Sequence, residues 1–262
     1  MRVSDASALE PVRARLPLGC RIAASPVVDD LYSLVVGGAH PGSVGTRYHM
    51  LYVGVARLAR SLVLDEVLAA LETDIAGAVA TGARRRVFVH AAVVGWHGRA
   101  LVMLGTPAEE RTRLVDALVR AGARYYADRY AVLDARGRVH PFATSRRSHD
   151  VGRQPLPVGV IAVITKGSGA RWRPRALTQG QAVLAMLEHA VSGAARPAFT
   201  LRVADAAVAS AHALLRGRLG DESDVATSLL AATEGRTHAQ RGGRSHAISH
   251  PEREAHDARG WS

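Results

Sequence analysis

Eight consecutive residues, Gly105-Thr106-Pro107-Ala108-Glu109-Glu110-Arg111-Thr112, stand where a chain could cradle phosphate. A phosphate-binding loop reads G-x-x-x-x-G-K-[ST]. Its backbone N–H groups hold the phosphates, its lysine reaches the terminal ones, and its hydroxyl meets magnesium. The first glycine and the last threonine are in register here. The second glycine is Glu110, and the lysine is Arg111. Glycine serves such a nest because it adopts backbone conformations that cost other residues energy. Forcing Glu110 into one would cost about 1–2 kcal/mol. Its carboxylate near 4 Å from a phosphate charge would add about 4 kcal/mol of repulsion at an effective dielectric of 20. Together these weaken affinity by about 10³- to 10⁴-fold, with Glu109 adding to the repulsion. Arg111 keeps a positive charge but not the compact point charge of lysine. The same residues also read as an ordinary helix start, with Pro107 near the first turn and two carboxylates favoured by the helix dipole. On that reading the chain's own carboxylates take the place of a phosphate.

The flanking elements are expected to present this loop at the end of a strand. Ala100 to Leu104 is an apolar run typical of a buried strand, joined by the turn Gly95-Trp96-His97-Gly98 to a second strand, Val87 to Val94. After the loop, Leu114, Val115, Leu118 and Val119 mark one face of a helix that Gly122 closes. Tyr130 to Leu133 and Arg138 to Phe142 read as a hairpin, and Val158 to Ile164 as another buried strand. Upstream, CRIAAS, LYSLVVGG and YHMLYVG read as short strands, and residues 64–80 as an amphipathic helix bearing Val67, Leu68, Leu71 and Ile75. Downstream, Thr178 is a candidate N-cap for a helix to about Ser192, stopped by Gly193. A strand over Phe199 to Val203 and helices near 204–216 and 221–233 complete the expected fold. The expected division is a strand-rich segment, 1–60, packed on a core, 61–233, and a disordered tail, 234–262, rich in Arg and His. The tail histidines His238, His246, His250 and His256 have no compact metal-site spacing.

Composition narrows the function classes. The 262 residues are 48% hydrophobic and 22% charged, ordinary for a globular chain, and no apolar run has the length of a membrane span. The N-terminus has no signal-peptide core, so a soluble cytoplasmic protein is expected. A single cysteine, Cys20, excludes an intrachain disulfide and a cysteine metal cage. The net charge of +11 comes almost wholly from arginine, Lys166 being the only lysine. That pattern reads as a compositional bias. Arg84-Arg85-Arg86 precedes a strand without aromatic residues interleaved, so nucleic acid is not the expected partner.

The order of features from 87 to 142 resembles the HPr kinase-like P-loop proteins, relatives of the HPr serine kinase/phosphorylase. These features are His90 on a strand, a hairpin, the Gly105 loop, a helix ending in Arg-Ala-Gly122, Tyr-Ala-Asp128, and the Gly137-Arg-Val-His-Pro141 hairpin. The resemblance implies an α/β fold with a PEP-carboxykinase-like P-loop core, a mixed sheet with flanking helices, and a strand-rich N-terminal part. It implies that residues Gly105 to Arg111 hold nucleotide phosphates, that Thr112 holds the metal, and that Asp128 activates an acceptor hydroxyl. It places His90 near the active site, and Arg129 where a second acidic residue often stands. From the residues alone, Asp128 reads equally as a turn-forming aspartate and His90 as a core histidine; Lys166 reads as a phosphate contact or a solvated lysine. Two functions follow. The first is a kinase-like protein with an eroded nucleotide site and no cofactor, acting through a protein or peptide partner. The second is an active kinase using ATP and Mg²⁺ on a hydroxyl of a small molecule, peptide or protein. Relatives of this fold form homo-oligomers, so self-association is also an expectation.

Overall fold

A computed structural model describes residues 1–17, 20–21, 27–38, 48–143, 151–167, 172–191 and 193–242, with backbone alone for 235–242. In chain order the strands are β1 (Arg2–Val3), β2 (Tyr32–Val35), β3 (His49–Val53), β4 (Ala56–Ser61), β5 (Val87–Trp96) and β6 (Arg99–Leu104). They continue with β7 (Arg124–Ala127), β8 (Tyr130–Leu133), β9 (Val139–His140), β10 (Val158–Thr165), β11 (Arg175–Ala176) and β12 (Ala213–Arg218). The helices are α1 (Leu9–Arg13), α2 (Leu64–Gly82), α3 (Ala108–Arg120), α4 (Gln179–Glu188), α5 (Pro197–Ser210) and α6 (Glu222–Gly242). The fold is mixed α/β, with two mixed sheets among the described residues.

The larger sheet runs β11-β12-β10-β6-β5-β8-β9, with β7 paired to β5 beside β8. Its centre, β6, β10 and β12, is parallel, while β5 is antiparallel to β6 and to β8. Such a centre is buried on both faces, which explains the uninterrupted apolar runs of β6 and β10. On one face Val89, Ala91 and Val93 of β5 pack with Ala182, Ala185 and Met186 of α4 and Val203, Ala204 and Ala207 of α5. On the other, Ala92 and Val94 pack with Leu114, Val115 and Leu118 of α3 and Val225 and Leu229 of α6. The period of two along β5 therefore feeds both layers.

The smaller sheet, β1-β2-β3-β4, carries α2 on one face, where Leu34 and Leu51 meet Val67, Leu68 and Leu71. Farther along α2, Ala76 and Ala80 meet Phe88, Tyr130 and Val132 of the larger sheet. The helix expected over 64–80 thus joins two cores.

Three expectations differ from the structure. Residues 197–210 are helical and 213–218 form a strand, reversing the order expected there. The apolar run Phe199 to Val203 is too short to separate strand from helix. Pro197 in the first turn and the burial of Thr200, Val203, Ala204, Ala207 and Val208 fit the helical period. The helix from Thr178 ends at Glu188, short of Ser192. Helix α6 continues past Glu234 to Gly242, and residues 243–262 lie outside the described residues. Most of the expected strand CRIAAS also lies outside them. β4 and β7 were not anticipated.

Candidate functional site

Sheet topology brings distant residues to one end. The C-terminal ends of β6 and β10 lie side by side, and antiparallel β5 brings its N-terminal half to that end. Ala91 pairs with Leu104, so His90 stands next to the Gly105 turn. On the far side of β5, His90 pairs with Tyr130 of β8, their rings 4.9 Å apart. The bend between β7 and β8 holds Asp128 and Arg129, and the Ala91 N–H donates to the Arg129 carbonyl at 3.2 Å. Where β6 leaves the sheet, the segment after α4 replaces it. The His90 N–H donates to the His189 carbonyl at 2.8 Å, and Val191 donates to Phe88 at 2.9 Å. Crevices at the carboxyl ends of parallel strands are where α/β sheets bind ligands.

Gly105 has φ +79°, and a Cβ there would lie 3.0 Å from the Ile164 carbonyl oxygen and 3.9 Å from His189 Nε2. Only glycine fits both the backbone and the space. His189 Nδ1 donates to the Ala185 carbonyl at 2.8 Å. The other ring nitrogen, Nε2, is directed toward the Gly105 turn.

The loop itself is short. α3 begins at Ala108, directly after Gly105-Thr106-Pro107, and the Arg111 N–H already donates to the Pro107 carbonyl at 2.8 Å. The stretch that would wrap phosphate is the first turn of a helix. Pro107 is its N-cap, at φ −56° and ψ 153°, and supplies no side-chain cap. Glu110 is N3, where a capping box would return its carboxylate to the N-cap N–H. Proline has no N–H. Accordingly, Glu110 Oε2 is buried with no hydrogen-bond partner among the described residues, as are Thr106 Oγ1 and Arg111 Nε. Helix α4 shows the complete device, with Thr178 accepting from the Gln181 N–H and Gln181 accepting from the Thr178 N–H.

The charges at this end oppose one another. Burial lowers the Arg111 pKa from its ordinary value; the Asp128 carboxylate opposes the shift and Arg129 reinforces it. Burial also lowers the His90 pKa, assisted by Arg111, His189 and Arg129. His90 is the exposed member of an otherwise buried stretch of β5, so the core-histidine reading is corrected. Asp128 is the carboxylate that attracts Arg111 here, and Arg129 repels it.

The expected site residues therefore separate into groups. His90, Gly105, Arg111 and Asp128 share the sheet end, with Arg129, Tyr130 and His189 beside them. Thr106 is buried, while Pro107, Ala108 and Glu109 are exposed around the helix start. Thr112 is exposed inside α3, and its hydroxyl donates to the Ala108 carbonyl at 3.1 Å. Lys166, exposed just past β10, lies beyond the neighbouring strand end. A nucleotide triphosphate with magnesium does not fit these residues as they stand. The Thr112 hydroxyl, which the resemblance assigns to the metal, donates within its own helix, and Glu110 stands where the phosphate-loop pattern has glycine. Among the described residues, no group of three or more His, Cys, Asp or Glu could hold a metal ion. His189 escaped the sequence reading because nothing local marks it; only its backbone pairing with β5 puts it here.

No protein-family model matches this chain, and no curated protein matches it. Among solved structures, the chain is similar to the Hpr(Ser) kinase/phosphatase from Coxiella burnetii, at 10% sequence identity and TM-score 0.29. The similarity covers 59% of this chain and 97% of that one. A likeness of that size carries no argument about this chain's activity. No helix of the described residues is long and apolar enough to cross a membrane.

Proposed function

We propose that this protein is a non-catalytic, kinase-like scaffold with an eroded nucleotide site, and that it acts by binding a protein or peptide partner. One observation carries the reading. The would-be phosphate loop is the first turn of α3, with Glu110 half-buried at N3, its Oε2 out of solvent, beneath a proline N-cap. An entering phosphate would displace an intact helical turn and meet a carboxylate at close range.

The partner reading is supported at β4, the edge of the smaller sheet. Val55, Leu58, Leu62 and Val63 are exposed along and beside it, in a stretch that also carries Arg57 and Arg60. A register shift between Leu51 and Tyr52 on β3 breaks the regular pairing with β4. Arginines and an irregular edge discourage pairing between copies of the same chain. They favour an acidic extended segment, which the net charge of +11 also attracts. The test is binding of a fluorescent acidic peptide library to the full chain in low and high salt. Salt-sensitive binding that Arg57→Glu with Arg60→Glu abolishes supports the reading. Binding unchanged by that variant removes β4 from it.

The meeting of Arg111, Asp128 and His90 favours a second reading, an active phosphotransferase toward a hydroxyl of a small molecule, peptide or protein. Transfer of labelled γ-phosphate from ATP, lost in Asp128→Asn, would support it against the first.

A further inference from the structure

β11 and β12 form one edge of the larger sheet, and arginines collect there in register. Arg175 of β11 stands directly opposite Arg216 of β12, and Arg218 follows two residues along β12. Arg218 in turn pairs with Thr165 at the end of β10, which Lys166 follows. We propose that this edge grips the phosphoryl group of a phosphorylated serine or threonine on a protein or peptide partner, an inference that rests on the partner reading above.

Ladder partners share a face of the sheet, as do residues two apart on one strand, so Arg175, Arg216 and Arg218 project together. Leu214, the next residue back on that face, packs into the core under α4 and α5, whereas Ala213 and Leu215 pack toward α3 and α6. The cations stand where the first of these faces leaves its core. Arg216 is half-buried, and Arg175, Arg218, Thr165 and Lys166 are exposed. Directly opposed ladder residues have Cβ atoms about 4.5–5.5 Å apart, and like charges there destabilise the pair. Among the described residues no hydrogen bond or ion pair engages the side chains of Arg175, Arg216 or Arg218, and Arg216 Nε lies out of solvent without a partner. The chain's own carboxylates therefore leave this repulsion unrelieved. A dianion between the two forks turns it into attraction. A phosphoryl group carries about −1.5 to −2 charges and three acceptor oxygens, which serve two guanidinium forks at once. A carboxylate brings one charge and two oxygens, which a single arginine fork already fills. Packing around the Arg216 stem fixes its fork in advance, so little freedom is lost on binding. β11 is only two residues long and follows Pro174, a poor template for an added strand, so side chains carry the recognition.

The test is calorimetric titration of the full chain with blocked alanine peptides that carry a central phosphoserine or glutamate, and with inorganic phosphate. The expected result is at least about tenfold tighter binding of the phosphoserine peptide than of the other two, the range of one added charge-assisted hydrogen bond. Arg175→Gln and Arg216→Gln should each erase that preference. Arg85→Gln, the same loss of charge at an exposed arginine ahead of β5, should leave it unchanged. Arg175→Gln should not lower the melting temperature, because it removes a like-charge pair, so its loss of binding is not a loss of folding. Glutamate or inorganic phosphate bound as tightly, no phosphopeptide binding at about 5 mM, a preference that survives Arg175→Gln, or an equal drop in Arg85→Gln would overturn the proposal. Acidic-peptide binding through Arg57 and Arg60 of β4 would outlast any of these results, which separates failure here from failure of the partner reading. Nucleotide held at this edge rather than at α3 would be released by the same two variants.

Discussion

Replacing Pro107 with serine should stabilise the protein, because it completes a cap that α3 lacks. A serine Oγ could accept from the Glu110 N–H, as Thr178 accepts from Gln181 in α4. N-cap acceptors of this kind contribute about 1 kcal/mol. Its backbone N–H would meet Glu110 Oε2, which now has no partner, and the low end of the cost of an unsatisfied buried acceptor is about 1 kcal/mol. Against this, losing proline loosens the unfolded chain and costs about 0.4–1 kcal/mol. The net gain is about 1 kcal/mol, or about 2–4 °C in Tm for a chain of this size. Thermal and urea denaturation of wild type, Pro107→Ser, Glu110→Ala and the double variant would measure it. The double variant should forfeit roughly half the gain, since only one arm of the box survives. Thr178→Ala supplies the mirror control, with an expected loss of about 1 kcal/mol. A Pro107→Ser protein less stable than wild type, or a gain indifferent to Glu110, would refute this account of the helix start.

Other expectations concern the same end of the sheet. Gly105→Ala should cost about 1–2 kcal/mol from its left-handed backbone alone, with crowding against the Ile164 carbonyl adding to that, measurable by urea denaturation. Glu110→Gly with Arg111→Lys should gain measurable ATP affinity over wild type, by removing the carboxylate and loosening the first turn; no gain by calorimetry would sink the idea of an eroded loop. The lowered His90 pKa means the folded state holds fewer protons than the unfolded chain just below pH 6.5. Stability should therefore be complete above that pH and fall as pH drops through the window beneath it. His90→Gln should flatten this slope in melting curves taken from pH 7 to 5.

Much of the central region was legible because its periods are strong. The β5–β6 hairpin, α3 with its Gly122 stop at φ +100°, and the Thr178 cap follow from local patterns. The swap at α5 and β12 arose where a five-residue apolar run fits either period, and the parallel pairing of β12 to β10 decides it. At the site, Pro107, Glu109 and Glu110 announced a helix start. The exposure of His90 was hidden in an unbroken apolar run, since it depends on where β6 leaves the sheet. His189 and Arg129 reach the cleft through backbone pairing to β5, which no local spacing encodes.

The central claim is that the α3 start has replaced a phosphate cradle. Calorimetry of the full chain with ATP and magnesium tests it most directly. The account predicts no binding at millimolar nucleotide. Micromolar binding by the wild-type chain would contradict it, because the first turn of α3 would then have to open and Glu110 swing away from the phosphates.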